Sequence, residues 1–403
     1  MKVLLVNKFH WPKGGSEKYY FELGELLKQH GHEVAYFSME DEKNISTGDK
    51  EYFVPKFDLN NSSKLKALDV IYNKKNQKIM EYALDDFKPD IVHLNNFQRQ
   101  LSASIIKPCV DRNIPIVFTA HDVQAICPAI TMMDNDKNPC ELCIGGRYIN
   151  CIKKSCNKGS KLKSILGALE GYYYRKNKIY TDKISYIITP SEFYRKKFIE
   201  DGVNENKIKA IHNSIIMGDY NVKVEDEGYA LYFGRLSKEK GILNLINAFK
   251  KCKKGTLYIA GEGPEKDTIE NIIKENKLEK RVKLLGFLNK EEMTEVTRKC
   301  KFVVVPSIWY ENCPYSVLET LAIGKPVIGS NMGGIPELVS DNENGYIYDT
   351  IEELTEKMNM LFSDEEIVKK FSKKSKELAK EKYDREVYYS ELKNIYDKVV
   401  EER

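Results

Sequence analysis

The segment ENCPYSVLETLAIGKPVIGS, Glu311 to Ser330, places a loop, a helix and a strand in direct succession. Its polar first residues open a helical pattern, and Gly324 followed by Pro326 ends that helix. The short apolar run after Pro326 predicts a buried strand. Another apolar run, KFVVVPS, comes directly before the segment, so that the helix connects two predicted strands. This order is typical of a parallel α/β sheet.

The same alternation extends over most of the chain. In the first half, predicted strands include KVLLVN (Lys2 to Asn7), PDIVHLNN (Pro89 to Asn96), IPIVFTAHD (Ile114 to Asp122) and YIITPSE (Tyr186 to Glu192). In the second half they lie in YALYFGR, GTLYIAGEG, RVKLLGFL, KFVVVPS, KPVIGS and GYIYD. A polar, aperiodic segment between Ile216 and Gly228 separates the two halves. We therefore predict two Rossmann-like, doubly wound α/β domains facing one another across a cleft.

The domain boundaries follow from this pattern. Residues 1–216 form the predicted N-terminal Rossmann-like domain, which carries a Cys-rich insertion at 127–156. Residues 227–384 form the predicted C-terminal Rossmann-like domain. Residues 385–403 are predicted to be a helix that packs back on the N-terminal domain. A chain of 403 residues also favours two domains, because single cores rarely exceed about 250–300 residues.

The amino-acid composition and the net charge argue against some functional classes. The chain is 42% hydrophobic and 31% charged, and its net charge is only +4. This balance does not favour nucleic-acid binding, which normally needs a strongly basic face. The apolar run at the N-terminus is too short for a signal peptide, and no apolar stretch reaches 18 residues. We expect an intracellular, soluble protein that is at most peripheral to the inner face of a membrane.

Ligands of open α/β sheets bind beyond the carboxyl ends of the strands, where several charged residues of this sequence fall. Arg235 directly follows a predicted strand, and Lys240 lies near the start of the next helix. An arginine fork with a nearby lysine suits a phosphate group. Glu311 follows KFVVVPS at the start of a helix whose first N–H groups can bind an anion. Glu319, one to two turns into that helix, suits a ribose diol.

These residues carry a family resemblance. GRLSKEKGI, GEGPEKDTIE, LLGFLNKEEM and ENCPYSVLETLAIGKPVIGS with GGIPELV resemble the C-terminal half of the family-4 retaining glycosyltransferases of GT-B fold. Gly14-Gly15, HLNN, AHD, TPSEF and IHNSI follow the order of the N-terminal half. The resemblance covers nearly the whole chain. It implies sugar transfer from a nucleotide diphosphate sugar, with the anomeric configuration retained and no metal needed.

The resemblance also implies a role for each matching residue. Arg235 and Lys240 would bind the diphosphate, Glu319 the ribose, and the backbone at Gly286 and Phe287 the base. Glu311 and His121 would contact the donor sugar, and Gly14 and Gly15 would let the first loop approach the diphosphate and acceptor. Backbone N–H groups for the sugar and phosphate would come from Asn312, Cys313, Pro314, Tyr315, Ser316 and Val317. The pair Asn312-Cys313 departs from the family pattern and leaves the donor sugar open.

Donor, acceptor and mechanism are less constrained. UDP is the expected nucleotide because it is the commonest in the resembling family. The expected acceptor is a hydroxyl of a glycan or lipid-linked glycan, in surface polysaccharide synthesis. No carboxylate nucleophile is evident, so a front-face reaction fits best. Two alternatives stay open: a GT-B enzyme of other chemistry, such as a sugar-nucleotide epimerase, and a non-catalytic sugar-nucleotide-binding protein.

Two further segments have alternative interpretations. The spacings of Cys140, Cys143, Cys151 and Cys156 are compatible with a structural zinc site, and reduced thiols in an irregular insertion are the alternative. The segment KLKSILGALEGYYYRKNKIY, Lys161 to Tyr180, mixes basic, aliphatic and tyrosine residues. It is either a helix lying at an anionic membrane surface or a helix packed on the core.

Overall fold

The computed structural model describes residues 1–58 and 66–403, with side chains described from residue 68 onward in the second range. The chain forms two compact units. The first contains residues 1–212 and 389–403, and the second contains residues 213–388. The end of the chain therefore belongs to the same unit as its beginning.

The first unit is built on a seven-stranded sheet in which every strand pair is parallel. Its strands are β1 (Lys2–Val6), β2 (Glu33–Met39), β3 (Lys50–Val54), β4 (Ile91–Leu94), β5 (Ile116–Thr119), β6 (Tyr186–Thr189) and β7 (Ile208–Ala210). Their order is β3-β2-β1-β4-β5-β6-β7, which reverses direction between β1 and β4. Central strands such as β1 are buried almost throughout, because helices cover both faces of a parallel sheet.

The α-helices of this unit connect its strands. They are α1 (Gly15–Gln29), α2 (Lys74–Phe87), α3 (Ile106–Asp111), α4 (Ile149–Lys154), α5 (Lys161–Lys176) and α6 (Glu192–Glu200). Short 3₁₀ segments lie at Lys66–Val70, Ala103–Ile105 and Glu205–Lys207, and a π-helical turn lies at Ile179–Lys183. Three of the helices begin at side-chain caps, which are Asn73, Ser160 and Ser191.

The second unit has a six-stranded parallel sheet. Its strands are β8 (Tyr229–Phe233), β9 (Thr256–Ala260), β10 (Val282–Gly286), β11 (Phe302–Val305), β12 (Val327–Ser330) and β13 (Gly345–Tyr348). The order β10-β9-β8-β11-β12-β13 reverses between β8 and β11. Such a reversal opens a crevice at the carboxyl ends of the two strands, where α/β proteins bind ligands.

Eight α-helices are found in the rest of the described chain. They are α7 (Ile242–Phe249), α8 (Lys266–Glu275), α9 (Lys290–Lys299), α10 (Tyr315–Ile323), α11 (Ile335–Leu338), α12 (Ile351–Ser363), α13 (Glu365–Lys382) and α14 (Arg385–Glu401). Two 3₁₀ segments lie at Met217–Tyr220 and Lys238–Lys240. From Tyr389 onward, α14 belongs to the first unit, where Leu392 and Tyr396 are fully buried.

The helix in the segment that opened the sequence analysis ends where it was predicted to end. Gly324 is the residue after the last turn of α10, with a φ of +89° in the left-handed region. The prediction of two Rossmann-like, parallel α/β domains is confirmed. No helix among the described residues is both long and apolar enough to cross a bilayer.

Candidate active site

A cavity of about 250 Å³ lies in the second unit at the carboxyl ends of β8 and β11. These are the neighbouring strands between which the order of the sheet reverses. Five of the residues predicted to bind a ligand line this cavity. They are Arg235, Lys240, Glu311, Ser316 and Glu319. Residues that are up to 84 positions apart in the sequence thus meet at the position where this type of sheet binds ligands.

The carboxylate of Glu311 is buried and held by three donors. Its Oε1 accepts hydrogen bonds from Lys240 Nζ at 2.6 Å, Ser307 Oγ at 2.6 Å and Trp309 Nε1 at 2.8 Å. Burial raises the pKa of Glu311, but Lys240 and the hydrogen bonds outweigh burial, so its pKa lies below the usual value. None of the described residues donates to Oε2. A charged acceptor is therefore left for a hydroxyl group in the cavity.

Lys240 and Arg235 differ in how their charges are compensated. Lys240 pairs with Glu311, and its Nζ also lies 5.2 Å from the centre of the Trp309 ring. Arg235 is exposed, and its guanidinium has no acceptor among the described residues. Its backbone is fixed, because Tyr232 donates a hydrogen bond to the Arg235 carbonyl at 2.8 Å. Arg235 therefore brings an uncompensated planar fork of N–H donors, which suits a phosphate group.

Two glycines allow the backbone to approach Glu311 and Lys240 closely. Gly241 has a φ of +68°, and an added Cβ would lie 1.7 Å from the Pro306 carbonyl oxygen. Gly333 has a φ of +63°, and its added Cβ would lie 2.2 Å from the Glu311 carbonyl oxygen. Next to it, Gly334 N–H donates to that same oxygen at 2.7 Å. Larger residues would displace the loop that carries the carboxylate.

The start of α10 offers fewer free N–H groups than predicted. Pro314 is the residue before the helix and has no N–H, and Val317 N–H donates to the Pro314 carbonyl at 3.0 Å. The side chains of Cys313 and Val317 are buried in the core. Ser316 lines the cavity, and its N–H has no acceptor among the described residues. Of the predicted backbone donors, Ser316 is thus the best placed to donate to a ligand, because it lines the cavity and its N–H has no partner among the described residues.

The residues predicted to hold the base lie farther along the same sheet edge. Gly286 ends β10, two strands from β8, with a φ of +71°, and its carbonyl accepts a hydrogen bond from Gly261 N–H at 2.7 Å. Phe287 follows and is 77% exposed, an unusual state for a large aromatic side chain. Neither residue is among those that line the 250 Å³ cavity. Their role in base binding stays a prediction.

In the first unit, Asn95 fixes the orientation of His121. The Asn95 Nδ2 group donates to the Val6 carbonyl at 3.2 Å, which turns Oδ1 toward His121 Nε2 at 2.9 Å. Burial, with a smaller effect of Lys8, lowers the pKa of His121 to about 3. A neutral imidazole that donates through Nε2 presents Nδ1 as an acceptor. His121 is therefore neutral, and it is suited to hydrogen bonding and not to acting as a cation.

A buried hydrogen-bond chain connects α14 to the neighbourhood of His121. His93 Nδ1 lies 2.5 Å from Tyr396 OH, and His93 Nε2 lies 2.8 Å from Thr119 Oγ1. Thr119 Oγ1 is in turn 3.1 Å from Tyr19 OH, and the Tyr19 ring packs edge-on against His121 with centroids 4.6 Å apart. Burial lowers the pKa of His93 to about 3, so the chain is uncharged. The position of His121 thus depends on the C-terminal helix.

A second cavity, of about 310 Å³, lies in the first unit beyond the carboxyl ends of β1, β2 and β4. Arg99 and Glu170 line it together, with Arg99 N–H donating to Glu170 Oε1 at 3.2 Å and Nε lying 3.7 Å from Oε2. Gln100 also lines it, and its buried Oε1 has no hydrogen-bond partner among the described residues.

The glycines predicted in the first loop lie at the start of α1. Gly15 is the first residue of the helix, and Gly14 precedes it in an extended conformation with a φ of −169°. Both are exposed, and neither lines the 310 Å³ cavity. Their predicted approach to the diphosphate and acceptor stays a prediction.

The family of the chain follows from its first half. The sequence profile described as Glycosyltransferase Family 4 matches residues 13–217, half of the chain. The protein belongs to glycosyltransferase family 4. A second profile, described as Glycosyl transferases group 1, matches residues 219–378 of this family 4 glycosyltransferase. It covers the cavity that contains Arg235, Lys240 and Glu311.

Relatives of this family 4 glycosyltransferase include a protein of 42.6 kDa in the cps region of Klebsiella pneumoniae, itself uncharacterized. It is 26% identical over 372 residues, which cover 88% of this chain and 91% of that protein. An uncharacterized glycosyltransferase of Methanocaldococcus jannaschii is 31% identical over 159 residues. That match covers 35% of this chain, which spans only 40% of the length of the second relative.

Solved structures share the fold of this glycosyltransferase. HepE of Anabaena, crystallized with UDP, has a TM-score of 0.71 at 18% identity, covering 98% of this chain and all of that chain. Sucrose-phosphate synthase of Thermosynechococcus elongatus has a TM-score of 0.73 at 16% identity, and the match covers both chains completely. At such low identity these likenesses establish the architecture of the glycosyltransferase.

The predicted zinc site receives no support from the geometry. Cys143 and Cys151 pack with Tyr148 and Ala168 in a small apolar cluster, and Cys156 lies against it. Burial raises the pKa of Cys143, and raises that of Cys151 to about 12. Among the described residues, no group of three or more His, Cys, Asp or Glu side chains could hold a metal ion. Zinc at Cys140, Cys143, Cys151 and Cys156 remains a proposal for metal analysis of the purified glycosyltransferase.

Sequence reasoning missed the residues that support the predicted ones. Ser307 and Trp309 lie within four positions of Glu311. They could have been suspected, because a buried carboxylate needs donors. Asn95 follows β4, and no local sequence pattern marks it as the partner of His121. Tyr396 is 303 positions from His93, and no local pattern of this glycosyltransferase connects the two.

Proposed function

We propose that this family 4 glycosyltransferase transfers a sugar from a nucleoside diphosphate sugar to a hydroxyl of a glycan or lipid-linked glycan. The observation that carries the proposal is the 250 Å³ cavity, which combines an uncompensated Arg235 with the open Oε2 of Glu311. The guanidinium matches the diphosphate, and Glu311 and Glu319 match the hydroxyls of the sugar and ribose. A single cavity thus contains groups that can bind both the charged diphosphate and the hydroxyl groups of such a donor.

The proposed donor nucleotide is UDP. HepE, which shares the fold, has been crystallized with UDP and with UDP-glucose. In this chain, the exposed Phe287 beside Gly286 offers an aromatic surface for the base at the same sheet edge. The donor sugar would accept or donate hydrogen bonds at Glu311 Oε2 and Ser316.

We propose that the reaction retains the anomeric configuration and proceeds without a metal ion. The bond between the anomeric carbon and the diphosphate oxygen breaks, and its electron pair stays on the phosphate. The acceptor oxygen forms the new bond from the same face and gives its proton to the departing phosphate oxygen. Arg235, with the partly compensated Lys240, would stabilise the negative charge that develops on the diphosphate.

The 310 Å³ cavity of the first unit is the proposed acceptor site. The Arg99–Glu170 pair, which lines this cavity, supplies polar groups for the hydroxyls of an acceptor. Surface polysaccharide synthesis is the proposed context, supported by the relative in the cps region of Klebsiella pneumoniae. A lipid-linked acceptor would place the protein on the cytoplasmic side, at the inner face of the cell membrane.

Thermal-shift measurements with UDP-, GDP- and ADP-sugars test the donor proposal. We expect a UDP-sugar to raise the melting temperature of the wild type and to have little effect on Arg235→Ala. Incubation with a bound donor and candidate acceptors should then release UDP only when an acceptor is present. Failure of every nucleotide sugar to bind would refute the proposal. Conversion of the donor without UDP release would instead indicate an epimerase.

A further inference from the structure

Residues 141–183 concentrate the positive charge of the protein. This segment includes α4 and α5, and it contains ten Lys and Arg residues against three Asp and Glu residues. Its net charge is +7, whereas the whole chain has only +4, so the rest of the chain is net negative. Among its basic residues, Lys153, Lys161 and Lys176 are exposed and form no ion pair with any described residue. The uneven charge creates an electrostatic preference for an anionic partner.

The same segment exposes large apolar side chains. Leu162, Leu169 and Tyr172 are spaced by seven and three positions, which places them on one face of α5. The opposite face contains the buried Ser164, Gly167, Ala168, Gly171 and Tyr174. Leu162 is 75% exposed, and Leu169 and Tyr172 are also classed as exposed. The outer face of α5 therefore exposes three large hydrophobic side chains.

Apolar residues of α4 and the loop before it extend this face. Ile149 N–H donates to Tyr172 OH at 3.2 Å, and Asn150 Nδ2 donates to the Leu142 carbonyl at 2.8 Å. The two helices are packed closely, since an added Cβ at Gly171 would lie 2.8 Å from the Tyr148 ring. Leu142 and Ile149 are both exposed. We call the exposed side chains of Leu142, Ile149, Leu162, Leu169 and Tyr172 together the α4–α5 surface.

We propose that the α4–α5 surface docks the protein on a membrane that contains anionic phospholipids. Exposed apolar side chains beside unpaired lysines suit the boundary between acyl chains and charged headgroups. Either feature alone gives weak attachment, and the two together give stable but reversible binding. A purely apolar partner would form no electrostatic interaction with the segment of net charge +7. A nucleic acid would leave the exposed apolar side chains without apolar contacts.

The surface also has a defined relation to the proposed acceptor site. The α5 residues Lys163, Leu166, Gly167 and Glu170 line the 310 Å³ cavity of the same unit. Docking through the outer face of α5 would therefore bring that cavity near the membrane, where a lipid-linked acceptor resides. This relation rests on the proposed function, but membrane binding itself does not, because it is measurable without donor or acceptor.

Co-sedimentation of the full-length protein with vesicles tests the proposal. One set of vesicles contains equal amounts of phosphatidylglycerol and phosphatidylcholine, and the other contains phosphatidylcholine alone. We expect binding only to the anionic vesicles, weakened by added salt. The double variant Leu162→Ser/Leu169→Ser and the triple variant Lys153→Glu/Lys161→Glu/Lys176→Glu should each reduce the bound fraction at least about tenfold.

Matched controls change equally exposed residues elsewhere. Tyr82→Ser removes another exposed hydrophobic side chain, and Lys280→Glu/Lys373→Glu/Lys380→Glu reverses three exposed lysines of the second unit. Both controls should bind like the wild type, and thermal melting should show that every variant is folded. The proposal would be overturned if the wild type did not bind anionic vesicles. It would also be overturned if the surface variants bound these vesicles as well as the wild type does. A dimer in vesicle-free solution that the Leu162→Ser/Leu169→Ser variant dissociates would overturn it too, because the surface would then bind a second copy.

The two proposals can fail separately. Sugar transfer to a soluble acceptor, measured without vesicles, reports on the proposed function and should be unchanged in the surface variants. Vesicle binding without detectable sugar transfer would refute the proposed enzymatic function and would still support the proposed docking surface.

Discussion

Lys240 Nζ lies 2.6 Å from Glu311 Oε1, so a cation predicted to hold phosphate is paired with a carboxylate predicted to hold the sugar. The pair is formally neutral, and Glu311 is also held by Ser307 and Trp309. Among the described residues that line the cavity, Arg235 is therefore the cation that no carboxylate compensates. This division of charge leads to different expectations for variants of the three residues.

Arg235→Ala should reduce kcat/KM by about 10²–10³-fold, because one preorganised group that stabilises developing negative charge would be lost. Arg235→Lys should recover only part of the activity, because an ammonium group cannot bind phosphate bidentately. Steady-state transfer kinetics measure both effects. Lys238→Ala is the matched control, since Lys238 is exposed in the same loop and does not line the cavity. Equal effects at positions 235 and 238 would contradict the assignment.

The effects of Lys240→Met and Glu311→Gln on the free energy of unfolding should not be additive. Each change alone leaves the other member of the pair uncompensated in a cavity, whereas the double variant removes both charges. A double-mutant cycle on the free energy of unfolding should give a coupling of about 0.5–3 kcal/mol. Urea denaturation of the four proteins measures it. Strictly additive effects would show that the 2.6 Å contact contributes nothing to stability.

Gly333→Ala and Gly241→Ala should destabilise the second unit by more than the strain of a positive φ. An added Cβ would collide with the carbonyl oxygen of Glu311 or Pro306, respectively. Gly48→Ala isolates the strain, because Gly48 has a φ of +79° and no atom within 4 Å of an added Cβ. We expect a loss of about 1 kcal/mol for this control and clearly more for the other two variants, measured by urea denaturation. Equal losses would argue against the close approach.

Stability should fall as the pH decreases from about 6.5 toward 4, because His93 and His121 are neutral when folded. Burial lowers the pKa of each to about 3, with smaller contributions of His121 to His93 and of Lys8 to His121. The unfolded chain binds protons at these residues below about pH 6.5, which costs the folded state up to about 1.4 kcal/mol per pH unit for each. His93→Gln should make the decrease less steep in urea titrations at several pH values.

Tyr396→Phe should lower kcat with little change in KM. The substitution removes the hydroxyl group that hydrogen-bonds to His93, at the end of the hydrogen-bond chain that is farthest from His121. The loss of this buried hydrogen bond should also cost about 1–2 kcal/mol of stability. Tyr389→Phe is the matched control on the same helix, since Tyr389 OH contacts His32 Nε2 at 2.8 Å outside this network. A similar decrease of kcat in both variants would indicate a general structural effect and contradict a positioning role.

The sequence by itself determined the alternation of strands and helices, the stop of α10 at Gly324, and the placement of Arg235 and Glu311 after strands. These features depend on local periodicity and backbone preferences, which neighbouring residues encode. Only the tertiary structure decided that Glu311 Oε1 is already occupied by Lys240, and that Tyr396 reaches His93 across 303 positions. Such contacts depend on how distant segments pack, because burial makes each polar group find a partner wherever the fold places one.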